Sequence, residues 1–486
     1  MRTTIRLDVA NQAVWEHFET VNEQPFRLQY HLMPPTNWMN DPNGLSYFNG
    51  EYHVFYQHDP YGTIQGPMYW GHLSSPDLIK WQHRPIALAP DTDYDASCFS
   101  GSAVINNDKL TLIYTSHDEQ RTPKEMQCVA TSEDGVNFEK DAANPVLQHP
   151  PAGAGYDFRD PKVWAHGDQW YMVLGNSQDG RGRAFIYRSK DLIRWQEVGP
   201  SLVSDGSYGH MWECPDIYPL GDHFVLAFSP IDSPISRNTL VIGDLNYETG
   251  CIIPLAYQEA DYGEAFYAMQ SMEAPDGRRI MIAWMEKWRN EYITASEGWV
   301  GAMTLMREMS LENGHVMIRP VREMAELRHK LIVSGKYNVE PRTQGYLNNV
   351  RGKSLEIVLD LRFSDADCQQ GGLRMRTSAD NSQETLVYYD CNRHSVVCDR
   401  SRSGLGSTVE TVVPVELGEN KIVSLRIFID HSSIEVFINN GEAVITNRIY
   451  PDPDSTGYEL YAVGGSMEVP TFTAWALQSI WPEPAN

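Results

Sequence analysis

The sequence predicts an all-β chain, a five-bladed β-propeller followed by a C-terminal β-sandwich, and three observations carry that prediction. One phrase recurs five times in roughly the first 290 residues: a short apolar strand, a tight turn and a second apolar strand. The turns are Asn49-Gly50, Asn107-Asp108, Gly167-Asp168, Gly221-Asp222 and Asp276-Gly277, and their starts lie 58, 60, 54 and 55 residues apart. A second marker keeps the same period. Ser-x-Asp-Leu-Ile-x-Trp occurs at Ser75–Trp81 and Ser189–Trp195, with a looser copy at Ser132–Phe138, so that Asp77, Asp134 and Asp191 are spaced by 57 in both intervals. Strands then resume after Gly345 without that period.

From the N-terminus, the first stretch lacks the apolar core of a secretory signal and reads as amphipathic, with helical spacing over Val14 to Phe18. Each of the five turns leads into a β-branched and aromatic run, such as Tyr52–Tyr56, Leu110–Tyr114, Trp170–Leu174, Phe224–Phe228 and Ile280–Trp284, which is the signature of a hairpin. Units of about 55 residues with about four strands each are propeller blades. One such sheet cannot bury both faces alone, whereas five packed radially can, leaving only short edges. Near Val321–Leu331 the spacing turns helical. Beyond it, Leu355–Phe363, Thr385–Tyr389, Ile422–Ile429, Ile434–Ile438 and Ala443–Ile449 are strands, with Asn439-Asn440-Gly441 as a hairpin turn, and they are expected to form a two-sheet sandwich. The expected organisation is an extension at 1–30, partly helical, a propeller at 31–335, a linker at 336–345 and a sandwich at 346–486.

Composition narrows the function. The 486 residues suit two or three domains. A formal net charge of −25 argues against nucleic acid and anionic membrane surfaces, both of which require a basic face. No window approaches the ~18 apolar residues of a membrane span. The seven scattered cysteines contain no Cys-x-x-Cys pair, so neither a zinc site nor a disulfide framework is indicated, and a reducing cytoplasm is expected. The histidines lack metal-ligand spacing, and neither a metal nor a cofactor is expected. Met303, Met306 and Met309 read as packing, Cys391 and Cys398 as a reduced pair across a hairpin, and Arg400-Ser401-Arg402 as a solvated loop. Homo-oligomerisation is left open.

Chemistry is concentrated in the first strand of each unit. Asp41, Asp160 and Glu213 precede their turns by eight, seven and eight residues. Carboxylates at one phase of a radial repeat converge at one end of the central channel. Each has a proline close behind it, in Asp41-Pro42, Asp160-Pro161 and Glu213-Cys214-Pro215, which suits a strand entrance better than a ladder interior. Asn40, Asn43 and Gly44 offer donors that favour an ionised Asp41, and Arg159 does the same for Asp160. Trp212 and Cys214 flank Glu213 with apolar surface that favours its protonated form. An ionised nucleophile beside a protonated acid is what glycoside hydrolysis requires.

The segments Trp38-Met-Asn-Asp-Pro-Asn-Gly44, Phe99-Ser-Gly-Ser102, Arg159-Asp-Pro161, Trp212-Glu-Cys-Pro-Asp216 and Asp430-His-Ser-Ser-Ile-Glu-Val-Phe437, in this order, resemble the motifs of glycoside hydrolase family 32. That family includes invertases, sucrose and sucrose-6-phosphate hydrolases and fructanases. The resemblance spans nearly the whole chain and implies a β-fructofuranosidase with a small sugar substrate and a retaining double displacement. It implies Asp41 as nucleophile, Glu213 as general acid/base and Asp160 as transition-state stabiliser. Asn40, Gln57, Phe99, Ser100 and Arg159, with Tyr267 and Trp284 of the fifth unit, would line the fructose subsite. In retaining enzymes the nucleophile and acid lie ~5–5.5 Å apart, the separation expected of Asp41 and Glu213. The chain departs from the family pattern at Gln65, where Trp is common, and at Ala265 and Met269, where Asp and Pro are common. These departures bear on the leaving group and on whether water or a sugar is the acceptor. A fructosyltransferase using the same intermediate and a non-catalytic sugar-binding propeller are the alternative readings.

Overall fold

The computed structural model describes residues 2–289 and 291–481, with side chains from residue 7 onward. The five repeated units are five sheets. Blade I comprises Asn37–Phe48, Glu51–Asp59, Tyr69–Ser75 and Gln82–Leu88; blade II, Ser97–Asn106, Lys109–His117, Glu125–Ser132 and Glu139–Lys140. Blade III comprises Phe158–His166, Gln169–Gln178, Arg181–Ser189 and Trp195–Val203; blade IV, Met211–Leu220, His223–Ile231, Thr239–Leu245 and Ile252–Glu259. Blade V comprises Tyr267–Glu273, Arg279–Trp284, Arg307–Glu312 and His315–Pro320. The first strand of each blade packs on the first strands of its two neighbours, blade V against blade I included, so the ring closes. Trp299–Val300 adds a short parallel pairing to Asn37 and Trp38 on the inner strand of blade I.

Hydrophobic seams between blades hold the ring together. Phe55, Trp70, Leu112 and Tyr114 pack in the seam of blades I and II, Ile113, Phe158, Met172 and Leu174 in that of II and III, and Tyr171, Val173, Trp212 and Phe228 in that of III and IV. Full burial of such side chains contributes ~1.5–3 kcal/mol each. Met303, Met306 and Met309 are buried in the large cluster shared by blades I, IV and V. The repeated Ser-x-Asp phrase is the turn between the third and fourth strands. Asp77, Asp134 and Asp191 each accept two backbone N–H groups two and three residues ahead, at 2.7–3.0 Å, the local bonding that makes Asp a turn residue.

The N-terminal extension forms helices Arg2–Glu16 and Phe18–Asn22. Ala10 and Val14 pack on Tyr69 and Ile86, and Asn11 Oδ1 accepts the Ile86 N–H at 2.9 Å, which covers the outer edge of blade I and removes it as a pairing site. Among the described residues no helix is long and apolar enough to cross a membrane.

The C-terminal half is two packed sheets. One orders Arg328–Val339, Met467–Leu477, Leu355–Arg362, Ile422–Asp430, Ser433–Ile438 and Ala443–Arg448; the other orders Thr411–Pro414, Ser395–Arg402, Glu384–Asp390, Gln370–Thr377 and Gly457–Val463. Four local expectations differ from this arrangement. Helical spacing at Val321–Leu331 yields only a 3₁₀ turn, Arg322–Leu327, and residues 336–339, read as the start of a linker, end the strand Arg328–Val339. That strand is a mostly exposed sheet edge whose pairing partner, Met467–Leu477, lies some 140 residues on, so no local pattern marks it. Arg400, expected on a solvated loop, is buried and pairs with Glu264 of the propeller at 2.7 Å. Cys391 lies beside Cys368, while Cys398 is buried next to Asn447.

A buried charge network joins the two halves. His31 bridges Asp430 (2.9 Å) and Glu435 (3.0 Å), and Arg307 bridges Asp261 (2.8 Å) and Glu435 (2.5 Å). Against burial, the hydrogen bond from His31 holds the Asp430 carboxyl below its ordinary range, and the charge of Arg307, with the hydrogen bond from His31 adding to it, does the same for Glu435.

Candidate active site

All five inner strands break register with their neighbour at one level: between Met39 and Pro42, between Phe99 and Gly101, opposite Val173 and Gly175, between Glu213 and Asp216, and between Tyr267 and Gln270. These are β-bulges, which kink a strand and re-aim a side chain. Asp160, Cys214 and Ala268 adopt left-handed backbone there, with φ of 63°, 48° and 56°. Asp41, Asp160 and Glu213 all sit at this level.

The thiol of Cys214 marks their convergence. Its Sγ lies 3.5 Å from Asp41 Oδ2 and 3.7 Å from Asp160 Oδ2, and the Cys214 N–H donates to Asp160 Oδ2 at 2.9 Å. Asp41 also accepts from Ser100 Oγ at 2.6 Å and from Asn40 Nδ2 at 3.1 Å. Gln57 Nε2 donates to Ser100 Oγ at 2.6 Å, and Trp38 Nε1 to Asn40 Oδ1 at 2.7 Å. The expected donors are thus only partly the ones used: Asn43 Oδ1 accepts from the Gly101 N–H instead. Burial raises the Asp41 carboxyl above its ordinary range, opposed by the bond from Ser100 and reinforced by the nearby charge of Glu213.

Arg159 does not bond to Asp160. Its guanidinium contacts Glu213 Oε1 (2.9 Å from Nη2), Glu125 Oε1 (3.0 Å from Nη1) and Asp157 Oδ1 (2.9 Å from Nη1). Burial pushes the Asp160 carboxyl up to about 8, with Arg159 opposing it and Glu213 and Asp41 adding to it. Arg159 thus favours the ionised Asp160 through its charge and not through a hydrogen bond, and burial outweighs it. The fold does not provide the apolar flank expected for Glu213. Trp212 is buried face to face on Phe228 with ring centres 3.8 Å apart, and the Glu213 carboxyl meets Arg159 and the Tyr267 hydroxyl, which donates to Oε2.

Of the other residues named from sequence, Phe99 stacks on His117 at 4.1 Å and joins an aromatic patch with Trp38 and Tyr267. Trp284 is fully buried between Trp38 and Trp288, so it backs the wall and does not line it. The exposed member is Trp288, stacked on Trp38 at 6.0 Å. Ala265 and Met269 are both buried in apolar clusters, whereas Gln65 lies exposed on the loop between the second and third strands of blade I. Sequence reading missed Glu125, which is buried, accepts the Phe158 N–H at 2.5 Å and is held below its ordinary range chiefly by Arg159. Its sequence signal was faint: one acid heading the apolar run Glu125-Met-Gln-Cys-Val-Ala130.

Comparison with known proteins gives the family. Residues 31–320 match the N-terminal domain of glycosyl hydrolases family 32, and residues 323–476 match the family's C-terminal model. The chain is 40% identical to a sucrose-6-phosphate hydrolase of Escherichia coli, covering 98% of this chain and 100% of the relative. It is 39% identical to a sucrose-6-phosphate hydrolase of Zymomonas mobilis, covering 92% of each. A Bombyx mori GH32 β-fructofuranosidase solved in complex with sucrose superposes with a TM-score of 0.86 at 34% identity, over 99% of both chains.

Proposed function

The chain belongs to glycosyl hydrolase family 32, and from that premise we propose how its site works. It is a β-fructofuranosidase that hydrolyses the fructosyl bond of sucrose, with residues 31–320 carrying the reaction. The observation that carries this reading is the meeting of Asp41 and Asp160 on one thiol, with Glu213 next to it in sequence and clamped by Arg159.

Asp41 attacks the anomeric carbon of the fructosyl unit and forms a covalent ester as the bond to the leaving oxygen breaks. Glu213 delivers a proton to that oxygen, then takes one from the water that cleaves the ester. Arg159 and Tyr267 keep the Glu213 carboxyl aimed at the leaving oxygen. Asp160 accepts hydroxyls of the fructose ring, and the aromatic patch of Trp38, Phe99 and Trp288 borders the side where the leaving group sits. The spread of seven cysteines supports a reducing, cytoplasmic setting.

The test is turnover of sucrose, sucrose 6-phosphate, 1-kestose and inulin side by side, with products identified. Glucose and fructose from sucrose are expected, and Asp41→Asn is expected to abolish their release with the fold intact. Undiminished hydrolysis by that variant would refute the nucleophile assignment, and fructo-oligosaccharides as main products at high sucrose would make the enzyme a transferase.

A further inference from the structure

A cavity of about 990 Å³ lies on the sandwich, and none of its lining residues comes from the propeller. It opens between the segment 341–351 and the strand Gly457–Val463, an edge of its sheet that pairs with Gln370–Thr377 along its length and meets the segment 341–351 through a single bridge, Gly457 to Arg351. Its walls are fixed. The Glu459 carboxylate accepts the N–H groups of Gly345 and Tyr346, both at 3.0 Å, and Tyr458 Oη donates to Gly352 O at 3.1 Å.

Its chemistry is unlike that of the protein as a whole. In a chain of net charge −25, three arginines line this one cavity. Arg374 is held by Glu384 at 2.8 Å and lies over the Tyr461 ring. Arg342 and Arg351 are exposed and, among the described residues, form no ion pair. Tyr461 lines the cavity and is 7% exposed, with its ring packed against Tyr388 and its hydroxyl buried out of the cavity's reach. Asn348 and Asn381 add amides to the lining. Of the acids in the wall, Glu459 is occupied by backbone N–H groups and Asp454 is exposed. Arg351 Nη1 donates to Val350 O at 2.8 Å, and the remaining donors of the Arg342 and Arg351 guanidiniums form a planar fork that suits a phosphate's oxygens. Amides suit alcohol groups, and the volume is that of a small-molecule site.

We propose that this cavity is a second, non-catalytic binding site for a sugar phosphate, with Arg342 and Arg351 taking the phosphate and Asn348 and Asn381 the hydroxyls. The probe is fructose 6-phosphate, titrated by calorimetry into the full chain, with fructose and inorganic phosphate as separate arms. Sucrose turnover is measured on the same preparations, so the outcome is independent of the catalytic reading. Saturable binding is expected, unchanged in Asp41→Asn and at least tenfold weaker when Arg342→Gln and Arg351→Gln are combined. The arginine variant should keep full sucrose turnover. Three results would overturn the proposal: no binding, binding untouched by loss of both arginines, or inorganic phosphate binding as tightly as the sugar phosphate.

Discussion

Replacing Ser100 by Ala tests the proposed role of Asp41 as nucleophile. The Gln57 amide occupies one lone pair of the Ser100 hydroxyl at 2.6 Å, which leaves the hydroxyl proton to be donated to Asp41 Oδ2, also at 2.6 Å. A hydrogen bond to a charged group is worth ~1.5–3 kcal/mol. It favours the ionised carboxylate, and it works against the burial that already raises the Asp41 carboxyl. Removing it must shift that carboxyl further up. The acidic limb of the pH–kcat/KM profile on sucrose should then move to higher pH. Below the limb kcat/KM should fall roughly ten- to a hundredfold, at 1.4 kcal/mol per factor of ten. Well above it, where Asp41 is ionised in both proteins, the loss should be smaller. Steady-state kinetics across pH, with a melting curve to confirm that the fold survives, would read this. A profile lowered by the same factor at every pH, or one indistinguishable from the parent, would sink the reasoning, because neither is the signature of a lost bond to an ionised nucleophile.

Glu435→Gln should weaken the joint between the halves. Both carboxylate oxygens of Glu435 receive donors, His31 and the Leu305 N–H on one and Arg307 on the other, so an amide nitrogen faces a donor whichever way it turns. Breaking a buried pair costs ~3–5 kcal/mol, and at ~2.1 cal/mol/K of unfolding entropy per residue calorimetry should show melting lowered by about 3–5 °C; a drop below about 1 °C would contradict this. The same joint sets a pH window. Asp430 and Glu435 are lowered, so their contribution is complete above the ordinary values of 3.8 and 4.5 and is lost as pH falls through the folded ones. His31 is raised, so its share is complete below 6.5 and is lost as pH rises through the folded value. Melting temperature against pH should show the largest gap between parent and Glu435→Gln between pH 4.5 and 6.5; a gap that does not change with pH would count against the network. Glu125→Gln removes the anion that shares Arg159 with Glu213 and should lower kcat/KM on sucrose about tenfold or more with circular dichroism unchanged. Parent-like kinetics would show that Arg159 needs no such partner.

The repeat and the common phase of three acids were legible because a propeller turns sequence period directly into angular position around a ring. Contacts between side chains were not. Arg159 adjoins Asp160 in the chain, yet its guanidinium reaches residues 34 and 54 positions away, since a bulge turns consecutive side chains in different directions. Glu213 has apolar neighbours in sequence, but one of them, Trp212, is turned into the seam of blades III and IV. The joint between the halves was half legible. An acid inside the apolar run Ser433-Ile-Glu-Val-Phe-Ile438 signals a buried charge in need of a partner, but nothing local points to His31, some 400 residues earlier.

The bulges explain why the prolines follow the acids. Blades I, III and IV contribute a carboxylate, and each places Pro just after it, at Pro42, Pro161 and Pro215. Proline has no N–H to offer a ladder, so it fits where a bulge interrupts pairing. It also restricts the kinked backbone that aims the acid, where Asp160 and Cys214 already hold left-handed φ of 63° and 48°. Blades II and V have bulges at the same level and contribute no carboxylate, only Ser100 and Tyr267, and neither has a proline there: Gly101 and Met269 occupy those places. Met269 is therefore consistent with the division of labour among the blades. It fills apolar core on a strand whose task is to present a hydroxyl to Glu213 and not an acid to the substrate, so its departure from the family pattern leaves the three-carboxylate geometry intact.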